Sequence, residues 1–233
     1  MAQGDGWLNG KLEMARRRNL RRWLEARKKD QYYRMAKEQG YRSRAAYKLL
    51  EVLDKFQIIR EGDKVLDVGA APGGWSQVAS GVAGDSGLVV SVDLKPIEPF
   101  QRGNIKALTL DICSGDALSL LWNVSGDGFN VIISDASPNI TGAWDLDHYR
   151  QISLASTIIN LAEKILKPEG NLLVKLFDGP EVKPLKDRVK GMFRYTRLVK
   201  PKASRVKSSE IYLLGVGFKA SKPPLRRLQG RPS

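Results

Sequence analysis

The sequence predicts an α/β fold: a mostly parallel, twisted sheet with helices on both faces. Three observations carry this. β-forming runs alternate with helical stretches from residue 64 to 218. One of those runs, FNVIISD (129–135), is almost continuously apolar, as a strand covered on both faces requires. The first strand, KVLDVG (64–69), opens through GAAPGGW (69–75) into a helix, which is how a nucleotide-binding unit begins.

The elements follow in order. Ala46, Leu49, Leu50 and Leu53 recur at helical spacing, so a helix runs from Ser43 to about Phe56, with Lys48 off its apolar stripe. After strand 64–69 a helix starts near Trp75. LVVSVD (88–93) and IKALTLD (105–111) are the second and third strands, a helix covers about 115–122, and 129–135 is the fourth strand. Ala155, Ile158, Ile159, Ala162, Ile165 and Leu166 mark a long helix stopped by Pro168 and Gly170. NLLVKLF (171–177) is the fifth strand, a helix lies near 181–193, and short strands fall around 196–200 and 210–218. The organisation expected is a basic arm over 1–40, one domain over 41–218, and a disordered basic tail over 219–233.

With 233 residues, 42% of them hydrophobic, the chain is long enough for one full domain. A net charge of +14 points to a polyanion, nucleic acid before membrane, since no apolar run is long enough to span a bilayer. The single cysteine, Cys113, reads as a small half-buried filler, and the single histidine, His148, as the start of a surface helix. One cysteine makes no internal disulfide, and no Cys/His cluster builds a zinc site, so no metal is expected.

In such sheets the ligand sits beyond the carboxyl ends of the strands. Gly69, Asp93, Asp111 and Asp135 all fall there. Asp93, about 20 positions after the glycine loop, suits ribose hydroxyls, and Asp111 the adenine end of a ligand. These residues specify an adenosine-containing cofactor without choosing among several. Ala70 between the glycines, and Pro72, which lacks an amide for a pyrophosphate, argue against NAD.

The blocks YYRMAKEQGYRSRAAYKLLEV, VLDVGAAPGGWSQ, VIISDASPN, LLVKLF and SRVKSSEIYLL resemble the FtsJ/RrmJ family of RNA ribose 2′-O-methyltransferases, over about residues 30–218. The resemblance implies a Rossmann-like class I methyltransferase fold with an antiparallel C-terminal strand, and S-adenosylmethionine as methyl donor. It also implies a catalytic set of Lys48, Asp135, Lys175 and Glu210. Cofactor contacts carry over to Gly69, Ala70, Pro72, Gly73, Trp75, Asp93, Leu94, Asp111, Ile112 and Asp135. GAAPGGW is nearest to the branch acting on large-subunit ribosomal RNA, and the resemblance implies a uridine as its target; a tRNA methyltransferase of the same family is the alternative. A cytoplasmic monomer without membrane or metal partners is expected. The block Ser134-Asp-Ala-Ser-Pro-Asn139 and the LDI ending of the third strand depart from the family pattern.

The chemistry agrees with that set. A ribose hydroxyl is a poor nucleophile until its proton leaves, so a base must lie within hydrogen-bond reach. No histidine ends a strand, which leaves Lys175; burial and the neighbouring Lys48 are expected to push it towards neutrality. A strand lysine reaching for solvent is the bland alternative, costly in the apolar LLVKLF. For RNA, residues 183–207 carry ten Lys/Arg against Asp187, and 15–29 carry eight against one Glu, with Trp23, Tyr32 and Tyr33 as candidate base-stacking rings. Two readings from other classes stand beside this one: a non-catalytic RNA-binding domain, and a nicotinamide oxidoreductase.

Overall fold

The computed structural model describes residues 30–205 and 208–219. Residues 1–29 and the tail beyond Lys219 lie outside the described residues, and with them most of the expected arm and tail.

The last part of the expected arm is folded. Helix α1 (Gln31–Glu38) is capped by the Asp30 carboxylate, which accepts the Tyr33 N–H at 3.2 Å. Its Ala36 is buried, and the Tyr32 ring packs on Tyr47 of helix α2 (Ala46–Phe56) at 5.5 Å. Tyr32 therefore belongs to the core rather than to a stacking surface.

The remaining elements alternate as expected: β1 (Lys64–Val68), α3 (Gly74–Ala83), β2 (Leu88–Asp93), β3 (Ile105–Thr109), α4 (Ala117–Ser125), β4 (Phe129–Ser134), α5 (Trp144–Ile165), β5 (Leu166–Phe177), α6 (Val182–Met192), β6 (Phe193–Val199) and β7 (Glu210–Phe218). β5 begins earlier than its apolar run suggested. The helix stops at Ile165, and Pro168 and Gly170 lie within the irregular start of the strand, where Glu169 has φ +64° and the register against β4 shifts.

The seven strands lie in the order β3-β2-β1-β4-β5-β7-β6. β1 to β5 are parallel, and β7 enters antiparallel between β5 and β6. Alternation divides the core. Leu66, Val68, Val90, Ile132, Leu172 and Val174 meet the helices α4, α5 and α6. Val65, Val89, Val131, Ile133 and Leu173 meet α2 and α3 on the opposite face. Each such fully buried aliphatic side chain contributes about 1.5–3 kcal/mol.

Asp67 has the same parity as Val65, so it points into this second layer and is buried. There Ser91 Oγ donates to Ser76 Oγ at 2.8 Å, and Ser76 Oγ donates to Asp67 Oδ2 at 2.6 Å. Burial pushes the Asp67 carboxyl up to about 7 against the opposing Ser76 hydrogen bond, and the charges of Asp135 and Asp93 add to the rise. An acid raised in the folded state keeps its proton there while the unfolded chain has lost it, so stability falls as pH climbs from about 4 to about 7. Asp67→Asn keeps the shape and removes the titration. It should gain stability relative to the parent between pH 5 and 8, on the order of 3 kcal/mol. Thermal melts that stay parallel across that range would rule this out.

Two single residues differ from expectation. His148 is not at a surface helix start but 5% exposed inside α5, because Asp147 beside it anchors the preceding loop and the helix already begins at Trp144. Cys113 is exposed, in the loop between β3 and α4 beyond the end of the strand.

Candidate active site

The parallel strands end where the antiparallel β7 begins, so both deliver side chains to one edge of the sheet. Asp135 is the first residue past β4; Lys175 lies in β5 opposite Tyr212, and Phe177 lies opposite Glu210, the first residue of β7. Lys48 reaches the same place from α2 and is itself buried. The four residues form a closed ring of alternating charge. Lys48 Nζ is 3.4 Å from Asp135 Oδ1 and 3.1 Å from Glu210 Oε2. Lys175 Nζ is 3.3 Å from Asp135 Oδ1 and 3.3 Å from Glu210 Oε1, and donates to the Asp135 carbonyl at 3.2 Å.

Burial alone would push Asp135, Glu210 and Lys175 towards neutrality; the partners reverse it. Burial pushes Asp135 and Glu210 up, but Lys48 and Lys175 outweigh it and hold both carboxyls below their ordinary values. Burial likewise pushes Lys175 down, yet the charges and hydrogen bonds of Asp135 and Glu210 hold it above its ordinary value. This corrects the expectation of a lysine driven towards neutrality by Lys48: two carboxylates stand closer to Lys175 than that reading allowed.

Residues outside the expected set hold the ring in place. Tyr212 Oη donates to Asp135 Oδ1 at 2.6 Å, and burial followed by the Asp135 charge keeps this phenol well above its ordinary value. Gln151 Nε2 donates to the carbonyls of Lys175 (2.8 Å) and Ala136 (3.2 Å). The signal for Tyr212 was its place two residues after Glu210, on the same face of the strand.

Beside the ring is a cavity of about 760 Å³, within the range of small-molecule sites. Of the ten expected cofactor positions, Gly69, Asp93, Leu94, Asp111, Ile112 and Asp135 line it, while Ala70, Pro72, Gly73 and Trp75 do not. The Trp75 ring is buried instead: it packs on Tyr212 at 5.6 Å, and its Nε1 donates to the Ala45 carbonyl at 2.7 Å, just before α2. It braces two elements that carry the ring, so only its backbone, in the first turn of α3, is left for a ligand. Gly69 has φ +75°, and a Cβ there would sit 2.5 Å from Ala136 Cβ, so the loops after β1 and β4 meet only because this residue is glycine. Sequence reasoning missed Tyr149, Arg150, Ser153 and Thr157, which α5 presents along the far wall.

The residues fit an adenosine-containing group. Asp93 accepts the N–H groups of Ala71 and Lys95 at 2.9 Å each, which leaves its carboxylate further lone pairs for hydroxyls. Leu94, Leu110, Ile112 and Leu154 supply an apolar slot. Asp135 lines this cavity and belongs to the charged ring, so the two share a wall. On the other side of the ring, a groove lined by Arg44, Lys48, Arg205, Ser208 and Glu210 continues towards Tyr33, Lys37 and Arg42. Among the described residues no three His, Cys, Asp or Glu side chains are grouped as a metal ion would need, and no helix is long and apolar enough to cross a membrane.

Comparison with known proteins agrees with this architecture. The family model for FtsJ-like methyltransferases matches residues 41–218. The chain is 45% identical over 201 residues to the ribosomal RNA large subunit methyltransferase E of Methanobrevibacter smithii, covering 86% of this chain and 96% of that one. It is 44% identical over 192 residues to the protein of the same name from Archaeoglobus fulgidus, covering 82% and 97%. Among solved structures, a ribosomal RNA methyltransferase from Plasmodium falciparum superposes with a TM-score of 0.68 at 29% identity, over 76% of this chain and 98% of that one. With a matching family model over most of its length and relatives well above 40% identity, the chain belongs to the FtsJ-like methyltransferase family.

Proposed function

We propose that this protein transfers a methyl group from S-adenosylmethionine to the ribose 2′-hydroxyl of a uridine in large-subunit ribosomal RNA. The observation that carries the reading is the shared wall: Asp135 lines a cofactor-sized cavity and is also a member of the buried charged ring. In that cavity S-adenosylmethionine supplies an electrophilic methyl group on a sulfonium. Asp93 would hold its ribose hydroxyls and Asp111 the amino group of its base, Leu94 and Ile112 would flank that base, and Gly69 and Ala71 would supply the loop wall.

The ring then orients the acceptor. Lys48 donates to the ribose oxygen, Asp135 and Glu210 keep both lysines in place, and Lys175, once it has released its own proton, takes that of the hydroxyl. The Arg44–Arg205 groove and the basic residues that return to this edge after β6, Lys200, Lys202 and Arg205, favour an RNA strand passing over it, whereas Arg188 and Arg194 pair with Glu163 and Glu169. The large-subunit target is that of the named archaeal relatives. The same reading places the protein in the cytoplasm as a monomer, with residues 41–218 as the methyltransferase domain flanked by basic segments.

Incubation with labelled S-adenosylmethionine and total cellular RNA, followed by mapping of the labelled nucleotide, tests the whole reading; label in tRNA alone would redirect it. Calorimetry tests the cofactor. Binding of S-adenosylmethionine at about micromolar affinity, roughly −8 kcal/mol, is expected. Asp93→Ala should weaken it by about 1.5–3 kcal/mol, the range for hydrogen bonds to a charged group. Tight NAD binding without S-adenosylmethionine binding would overturn it.

A further inference from the structure

On the side of the ring opposite the arginine groove, α5 begins with an exposed aromatic ring. Trp144 is 46% exposed, stacks on His148 at 5.9 Å with 23° between the planes, and leans on Phe177 at 6.3 Å. Phe177 pairs across strands with Glu210, so this stack stands directly beside the acceptor site. The approach is fixed: the Asp147 carboxylate accepts the N–H groups of Thr141 and Gly142 and the Thr141 hydroxyl at 2.8–3.1 Å, locking the loop that delivers Trp144.

Stability does not account for this arrangement. His148 is buried with neither ring nitrogen hydrogen-bonded among the described residues, and a Cβ on Gly179 would meet its ring at 2.5 Å. A buried imidazole without partners opposes folding, and the indole above it leaves half its surface in water instead of the core. What the stack does supply is a rigid ring, backed by two more, beside a site proposed to receive a nucleotide.

We infer that Trp144, held by His148 and Phe177, is a stacking platform for a nucleobase next to the acceptor nucleotide of the substrate RNA. This rests on the reading of RNA as substrate. An aromatic face takes any base by stacking, while Arg44 and Arg205 across the ring take phosphates, so an RNA strand crossing the sheet edge meets both kinds of contact.

The test uses the full chain and an RNA that it methylates. Trp144→Ala should weaken RNA binding about 10-fold, within the range for loss of one base stack, while S-adenosylmethionine affinity and the salt dependence of RNA binding stay as in the parent. Trp144→Tyr should restore most of the affinity. An abasic residue beside the acceptor should erase the difference between parent and Trp144→Ala. A parent that methylates RNA, matched in affinity by Trp144→Ala, overturns the platform alone; a parent that neither binds nor methylates RNA overturns the substrate reading with it. Trp144 fluorescence that responds to deletion of residues 1–29 but not to RNA would assign the surface to the chain's own segment and overturn the inference.

Discussion

Replacing Lys175 by alanine is expected to lower the methylation rate by about 10²–10⁴-fold, the usual scale for a positioned proton acceptor, with cofactor and RNA affinity nearly intact. The group acts on the acceptor hydroxyl in the transition state and contributes little to holding either ligand. Because Asp135 and Glu210 hold Lys175 above its ordinary value, its neutral form is scarce in the resting protein. If it takes the proton, the parent rate should climb with pH through 7–9, with a midpoint above that of an ordinary lysine rather than below it. Lys175→Arg keeps the charge but cannot lose its proton at accessible pH, so it should be as slow as the alanine variant. A flat pH profile together with rescue by arginine would instead make Lys175 a fixed charge that orients the hydroxyl. Full activity of Lys175→Ala would end the assignment.

The second large effect is expected at Asp135, which, unlike Lys175, serves both the ring and the cavity. Asp135→Ala should abolish measurable transfer, weaken S-adenosylmethionine binding, and lower stability on the order of 3 kcal/mol. It leaves two buried ammonium groups with one carboxylate and takes the acceptor from the Tyr212 hydroxyl. Asp135→Asn should keep the fold better, since its oxygen still accepts from Tyr212. The pH dependence separates charge from shape. In the parent, the low values of Asp135 and Glu210 contribute stability that is present above about pH 4 and lost as pH falls through them. In Asp135→Asn that acid limb shrinks. With one carboxylate gone, burial weighs more heavily on Lys175, so the penalty should ease as pH rises from 7 towards 10. A variant melting like the parent at every pH would show that the ring contributes nothing to stability.

Much of this was legible in the chain. Strand ends were readable because apolar runs stop at Gly69, Asp93 and Asp135, and the four ring residues because each stands in a recognisable block. Less legible was anything that depends on a count of neighbours in space. The direction of the Lys175 shift needs both carboxylates located, and Glu210 is far off in sequence. The family resemblance implies Trp75 as a ligand contact, yet its helix turns the ring towards Tyr212 and away from the cavity. His148 was misread because the Asp147 anchoring that starts α5 early depends on a loop conformation. Tyr149 and Trp144 sit on a helix whose register against the sheet no local pattern specifies.

The position of β7 has a consequence for how the protein comes into being. Lys48 and Glu210 are 162 positions apart, and the strand bearing Glu210 must enter between two strands that precede it in the chain. Such non-local closures are slow steps, although the entropy they cost grows only by about 0.6 kcal/mol per doubling of the loop. During synthesis, then, the cavity formed by the first four strands and α5 can assemble while the charged ring cannot. A nascent or truncated chain lacking β7 should capture a donor-like ligand and do nothing with it, so turnover reports that the last strand has been threaded home.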